Sequence, residues 1–433
     1  RSDVGLVRAG NEDSGYAGPR LLMVADGMGG HAAGELASAV AIATVADLDV
    51  HPPSPSELLN ALTDAIDSTG ETINAIINEE PDLTGMGTTV TGLYWLGSRV
   101  AIVHVGDSRA YLFRDHELVQ LTHDHTYVQT LVDAGVWAAV GAACSGASMG
   151  ANAVLSAAGI PQISYASTSP ALTDDSLYPG FFRVVPSDAF QGQVVADVMT
   201  ADGQDSVAVV HMTNAYGAGL ADAFVANMNA SHVCTQVGYE ETATDFSTMA
   251  QAVVDAGCTS VLLVSYATDG AGIIEELSGL GFSGAIYGAD GIAEEGLATG
   301  MSDTTLVDGI IATKPAAAGT PGAVAVLFAA LCAASTDCAG GIYTAEAFDA
   351  VTIAAFAAFT ALATPGLAAE AAVAGTGQGW NGASGTISFL ANGDVPAAGF
   401  CIGEFSTATD GTVSYDCARS WDPVNGITTA TTE

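Results

Sequence analysis

The chain changes character within seven residues, and whatever it folds into has to change there too. The stretch Thr130-Leu-Val-Asp-Ala-Gly-Val136 divides it: all seven Cys (144, 234, 258, 332, 338, 401, 417) lie beyond this point and six of the eight His lie before it. Six of the nine basic residues fall in positions 1–135, leaving Arg183, Lys314 and Arg419 for the rest. Cysteine usage follows redox compartment, so the two parts look adapted to different surroundings. The division predicts two domains, 1–135 and 136–433, in agreement with what 433 residues suggest.

Composition narrows the function classes. An apolar fraction of 49% with 7% aromatic residues describes an Ala/Gly-rich globular chain. A formal charge of −39 with Lys314 as the single lysine argues against nucleic acid or an anionic membrane as partner. Such a surface suits high salt, where screening weakens self-repulsion. No apolar run reaches the roughly 18 residues of a membrane helix. The nearest, 322–334 and 350–363, are Ala-rich and short. They are expected as core helices, with no direct membrane insertion. Arg1-Ser-Asp-Val lacks an apolar signal-peptide core, which as written keeps the chain cytoplasmic.

In the first part, 21–25 is a short buried strand ending on Asp26-Gly-Met-Gly-Gly-His31. Helices are expected over 32–48 and 58–77, strands over 90–96 and 100–105, and a hairpin from 111–113 and 118–121 around Asp115-His116. An aspartate at a strand end followed by glycine can aim its carboxylate at a hard cation while the chain turns away. Asp26-Gly27 and Gly106-Asp107 fit that pattern. Arg8, just ahead of Asn11-Glu12-Asp13, suits a phosphate dianion. His123-Asp-His125 is either a metal pair or a solvated loop.

Taken together, Gly5-Leu-Val-Arg-Ala-Gly-Asn-Glu-Asp-Ser14, Ala25-Asp-Gly-Met-Gly-Gly-His-Ala-Ala-Gly-Glu35, Gly85-Met-Gly-Thr-Thr-Val90 and Val105-Gly-Asp-Ser-Arg-Ala-Tyr111 resemble the bacterial metal-dependent PP2C-type Ser/Thr phosphatases. The resemblance covers 1–135. It implies that Arg8 binds phosphate and that Asp26 bridges two Mn or Mg ions, with the Gly27 carbonyl as a further ligand. Glu12 and Asp13 would support the metal waters, and Asp107 would hold a third cation. The chemistry implied is two-metal hydrolysis. The family completes its metal centre with two later aspartates, in Ser-Asp-Gly-Leu and Asp-Asn contexts. Neither occurs after Gly135, where Thr268-Asp-Gly270 and Ala289-Asp-Gly291 come nearest. Little or no phosphatase activity is therefore expected.

In the second part strands and helices alternate. Strand candidates are 137–143, 160–165, 181–185, 206–211, 261–265, 285–287 and 309–312, with helices at 149–158, 191–199, 219–228, 246–256 and 271–280. This alternation predicts parallel sheets with helices on both faces, and such sheets bind ligands at the carboxyl ends of their strands. Those ends deliver Cys144-Ser-Gly-Ala-Ser148 before a helix, then Ser167, Thr168 and Ser169, and further on Tyr216, Tyr266 and Asp290. Hydroxyls and a helix N-terminus would take a carboxylate, an acid would take an ammonium, and tyrosines would wall an apolar side chain. Taken individually, Ser148 and Ser169 read as helix caps, and the tyrosines as core edges.

Ala139-Val-Gly-Ala-Ala-Cys-Ser-Gly-Ala-Ser148, Ala158-Gly-Ile-Pro-Gln-Ile-Ser-Tyr-Ala-Ser-Thr-Ser-Pro170, Phe182-Arg-Val-Val-Pro-Ser-Asp-Ala-Phe-Gln-Gly192 and Tyr216-Gly-Ala-Gly-Leu220 resemble the type I periplasmic solute-binding proteins. The Leu/Ile/Val receptors of ABC importers are the group most similar. The resemblance implies that Ser145, Ser167 and Thr168 hold the ligand carboxylate and backbone. Tyr216 and Tyr266 would enclose the ligand and Asp290 meet its ammonium, with no cofactor. It also implies an extracytoplasmic location and a membrane permease as partner. The family's first strands and helices have no counterpart here. Cys332–Cys338 and Cys401–Cys417 are close enough in sequence to bridge, Cys234–Cys258 could tie strand starts, and Cys144 is left over.

The expected architecture is thus α/β: an incomplete PP2C-like α/β/β/α fragment followed by a two-lobed, doubly wound parallel-sheet fold. Two unrelated genes joined at a short shared stretch would produce such a chimera. The expected function is amino-acid binding beside a largely inactive phosphatase fragment; the alternative is a metal-dependent phosphatase with a ligand-sensing tail.

Overall fold

A computed structural model describes residues 11–29, 31–316, 323–335, 338, 342–396 and 399–429. Arg8, expected to bind phosphate, lies outside them. The chain divides into two compact units, Arg1–Ala134 and Gly135–Glu433. The dividing stretch closes the helix Tyr127–Asp133, which opens with the Thr126 hydroxyl accepting from the Gln129 N–H. Gly135 follows at φ +74°, the left-handed position that glycine fills after a helix end.

The first unit holds an antiparallel sheet in the order Ser14–Ala17, Leu21–Ala25, Val90–Leu96, Arg99–Val105. Alternation sets its two faces: Leu21, Met23 and Ala25 are buried, Leu22 and Val24 exposed. The inner face packs on helices His31–Val50 and Leu58–Glu79 through Ala41, Val45, Leu58 and Leu62, against Val90, Tyr94 and Val103. On the outer face Leu22, Val24, Trp95, Val100 and Ile102 are all exposed.

The second unit contains two sheets. The larger runs Val233–Tyr239, Val207–Met212, Ser260–Val264, Ala285–Gly288, Ile311–Pro315 in parallel, then adds Phe400–Thr407, Val413–Asp422 and Gly426–Thr429 antiparallel. Every residue of Val207–Met212 and Ser260–Val264 is buried, as helices on both faces of a parallel sheet require. The smaller sheet is parallel, in the order Phe181–Arg183, Gln162–Ser164, Ala139–Val140. It shares a core with helices Thr344–Ala363 and Ala369–Thr376 through Ile163, Phe182, Ile353, Ala357 and Val373. The fold is therefore mixed α/β: a phosphatase-like fragment followed by a two-sheet binding-protein architecture.

Three expectations are corrected. The strand expected over 137–143 forms only at Ala139–Val140, because this run sits at a sheet edge with a partner on one side only. The segment expected as a core helix at 322–334 is the helix Ala323–Ala333, in which no residue is buried. The 350–363 segment extends to Thr344–Ala363, and its 20 residues are long and apolar enough to cross a membrane by length and composition. It buries Asp349, Ala350, Ile353 and Ala357, the one-sided stripe of a helix packed on a protein core.

Cys234–Cys258, Cys332–Cys338 and Cys401–Cys417 form disulfides, and Cys144 is free and exposed.

Candidate ligand cleft

At the carboxyl ends of five parallel strands of the two sheets the chain turns around one cleft of about 210 Å³. Ala139–Val140 leads through Ala142 and Ala143 to Cys144, which caps the helix Ser145–Leu155. Gln162–Ser164 leads to Ala166. Val207–Met212 leads to Asn214, whose side chain accepts from the Gly217 N–H and starts the helix that carries Tyr216. Ser260–Val264 leads to Tyr266, and Ala285–Gly288 to Asp290.

Ser145, Tyr216, Tyr266 and Asp290 all line this cleft. Tyr216 and Tyr266 stack with centroids 5.6 Å apart and planes 3° from parallel. The Tyr216 hydroxyl donates to Asp290 Oδ1 at 2.8 Å and accepts from the Gly291 N–H at 3.1 Å. Ser145 Oγ accepts from the Ser169 N–H at 3.1 Å, and the start of its helix, Cys144 and Ser145, lines the cleft.

Ser167 and Thr168 lie behind this surface and are buried. Ser167 donates to the carbonyls of Ala142 and Ala143, 3.1 Å each, and meets Ser148 Oγ at 2.8 Å, so its hydroxyl braces the loop. Ser148 is thereby a loop partner as well as a helix residue. The Thr168 hydroxyl is buried without a well-formed hydrogen bond.

The sequence pattern missed two residues: Tyr343, which lines the cleft, and Asp188, whose buried carboxyl feels the charge of Asp290. Tyr343 donates to Asp290 Oδ2 at 2.5 Å from a left-handed backbone, φ +80°. Nothing in the sequence marks a tyrosine for that conformation. Asp188 opens the helix Asp188–Ala201, fully buried, with neither carboxylate oxygen in a well-formed hydrogen bond. Burial, and then the negative charge of Asp290, hold its carboxyl well above the usual range; the neighbouring Thr168 hydroxyl and Arg183 pull the other way. Burial also raises Asp290, against the lowering effect of hydrogen bonds from Tyr343 and Tyr216. Tyr216 and Tyr343 are pushed up by burial and by the Asp290 charge. Tyr266 is raised by burial and by its neighbour Cys144.

In the first unit the metal-ligand candidates are only partly assembled. The Asp26 N–H donates to Thr89 Oγ1 at 3.0 Å, and its carbonyl accepts from the Thr89 N–H at 2.9 Å and Thr88 Oγ1 at 3.0 Å. These bonds pin the strand end. Gly27 is packed so closely that a Cβ would collide with the carbonyl oxygens of Gly34 and Glu12. Glu12 Oε2 is buried here with no hydrogen-bond partner. Asp13 donates its N–H to Asn11 Oδ1 at 3.1 Å, and Asp107 follows Gly106 at φ +97°. His123 meets Asp133 at 2.8 Å, while His125 Nδ1 accepts from the Gly106 N–H at 3.4 Å, so this pair braces loops. Among the described residues no three His, Cys, Asp or Glu side chains gather into a cation cage.

Comparison with known proteins finds two families. Residues 115–406 match the family described as receptor family ligand binding region, and residues 11–137 match protein phosphatase 2C. The two matches overlap across 115–137. The serine/threonine protein phosphatase PstP of Mycobacterium tuberculosis is 58% identical over 135 residues, 31% of this chain and 26% of that protein. The chain thus spans about a quarter of that relative's length. Among solved structures, the leucine binding protein LivK of Thermotoga maritima aligns with TM-score 0.59 at 22% identity, over 67% of this chain and 81% of that one. The branched-chain amino acid transporter substrate binding protein LivJ of Streptococcus pneumoniae, solved in complex with isoleucine, aligns with TM-score 0.56 at 20% identity over the same shares. At those identities the likeness shows the fold.

Proposed function

The chain belongs, through residues 115–406, to the receptor family ligand binding region family, and from that premise we propose that its second unit binds a free amino acid with a branched aliphatic side chain. The observation that carries this is the placing of opposite recognition groups on one cleft: the N-terminus of the helix Ser145–Leu155 and the buried carboxyl of Asp290. An amino acid's carboxylate suits the first and its ammonium the second. The stacked Tyr216 and Tyr266 rings offer an apolar side chain a wall between them. The names of LivK and LivJ, a leucine binder and an isoleucine complex, favour this ligand class.

The role that follows is that of a receptor delivering its ligand to the membrane permease of an ABC importer, outside the cytoplasm. Three disulfides support an oxidising compartment. The first unit contributes no turnover on this account. It matches about a quarter of PstP, and its described donors do not close around a cation. A chimera of two genes joined near Leu131 accounts for both halves.

The alternative, a Mn- or Mg-dependent phosphatase with a ligand-sensing tail, is favoured by one observation: the orphaned Glu12 Oε2 beside the close-packed Gly27. When bound, the metals would supply an activated water and neutralise phosphate charge. Calorimetric titration with leucine, isoleucine and valine tests the binding function, and heat from none of them overturns it. Manganese-dependent turnover of an aryl phosphate, abolished in Asp26→Ala, would establish the alternative.

A further inference from the structure

The Tyr343–Asp290 bond joins the two cores of the second unit. Tyr343 precedes the helix Thr344–Ala363, whose Ala350, Ile353 and Ala357 pack with the smaller sheet. Asp290 opens the turn Asp290–Ile292 after a strand of the larger sheet. A tyrosine at φ +80° is in a region that side chains rarely adopt, and such a conformation persists only where its surroundings hold it. What holds it here is the hydroxyl on Asp290 Oδ2, while Tyr216 occupies Oδ1.

Resting on the amino-acid function proposed above, we propose that Tyr343 is a positioning residue that keeps Asp290 an anion aimed at the ligand's ammonium, acting through its hydroxyl. A carboxylate taken out of water favours its neutral form, and donors to its oxygens favour the charged one. Two phenols donate to Asp290, beside the backbone N–H groups of Asp290 and Gly291. Among the described residues the other groups around it give no positive charge. Asp188 lies on the helix Asp188–Ala201, Tyr266 precedes the helix Ala267–Gly279, Tyr415 lies on Val413–Asp422, and Glu294 lines the cleft wall. Asp290's charge is felt at Asp188, Tyr266 and Tyr415. Lys314 instead lies over the Tyr415 ring and reaches the Ala293 carbonyl at 3.3 Å. Arg183 is engaged by Asp394. Losing one phenol donor therefore lets Asp290 take up a proton, and the attraction for an ammonium goes with its charge.

The test is the titration of Asp290 in the full chain labelled with carboxyl-13C aspartate, the resonance being assigned with Asp290→Asn. In Tyr343→Phe the apparent pKa of Asp290 rises by about one unit, a tenfold gain in proton affinity. An unchanged titration overturns the proposal. Should Tyr343→Phe fail to fold, difluorotyrosine at position 343, a stronger donor of the same shape, lowers the apparent pKa instead; no movement again overturns it. In calorimetry, Tyr343→Phe weakens leucine by a factor that grows as pH falls and approaches about tenfold, the largest ratio of ionised fractions a one-unit shift allows. Its deaminated analogue 4-methylpentanoate binds wild type and variant alike. Equal weakening of both ligands at every pH means that Tyr343 only packs. If wild type binds no leucine the amino-acid function falls, and the Asp290 titration still decides the part played by Tyr343.

Discussion

Arg183 and Asp394, 211 residues apart in the chain, meet in the interior with Nε 2.6 Å from Oδ1. The guanidinium also donates to the carbonyls of Ser167 and Ser169 and to the Thr173 hydroxyl, which makes it the post on which the loop behind the cleft is hung. Removing one member of a buried pair leaves the other uncompensated and costs about 3–5 kcal/mol. Asp394→Ala should lower the stability of the second unit by that amount in urea titration. The apolar pair Arg183→Met with Asp394→Leu should recover most of it. A single-variant cost below about 1 kcal/mol would show that the pair does not anchor the loop.

Cys144 is the one free cysteine among the seven and lines the cleft beside Tyr266. Unreduced protein should take up one maleimide label, at Cys144, and the fully reduced, denatured chain seven. Saturating leucine should slow the single labelling step. Labelling at the same rate with and without a ligand shown by calorimetry to bind would place that ligand elsewhere.

Glu346 carries a pH prediction. Burial lifts its carboxyl from 4.5 to about 7. Between those values the folded protein holds a proton that the unfolded chain has released, so this stabilising contribution is complete below about pH 4.5 and is lost as pH rises through 7. The loss is on the order of 3 kcal/mol. Glu346→Gln, neutral at every pH, should remove that slope and be the more stable protein at pH 8. Parallel urea midpoints for the two proteins from pH 5 to 8 would rule the assignment out.

Net charge carries another. With −39 on 433 residues, self-repulsion opposes the compact state and screening relieves it. The melting temperature should climb as potassium chloride rises from 0.1 M toward about 1 M, where the Debye length has shrunk to roughly 3 Å. A melting temperature that falls across that range would mean specific surface ion pairs outweigh the general repulsion.

Elements with a repeating apolar pattern are legible in the amino-acid sequence alone. The strand at 90–96 and the buried run at 21–25 fall where the side-chain pattern puts them, because burial on one or both faces leaves the periodicity no alternative. The helix expected over 271–280 begins earlier, at Ala267, since its first turn lies under the cleft and carries polar Thr268 and Asp269 in place of apolar residues. The cleft residues Ser145, Tyr216, Tyr266 and Asp290 are legible because strand ends are where a parallel sheet presents side chains. Ser167 illustrates the limit of that logic, since its hydroxyl turns inward to Ala142 and Ala143. Tyr343 and Asp188 are illegible for a different reason. One depends on a left-handed backbone that only tertiary structure imposes, and the other is an acid whose burial no local pattern announces.

The outer face of the four-stranded sheet, with Leu22, Val24, Trp95, Val100 and Ile102 open to water, sets a ceiling on the benefit of salt. Ions that quiet repulsion between whole molecules also let bare apolar patches on different molecules touch, and excluded salts strengthen that adhesion. The protein should therefore be most soluble at an intermediate ionic strength, clouding above it, and Trp95→Glu should push the clouding point upward.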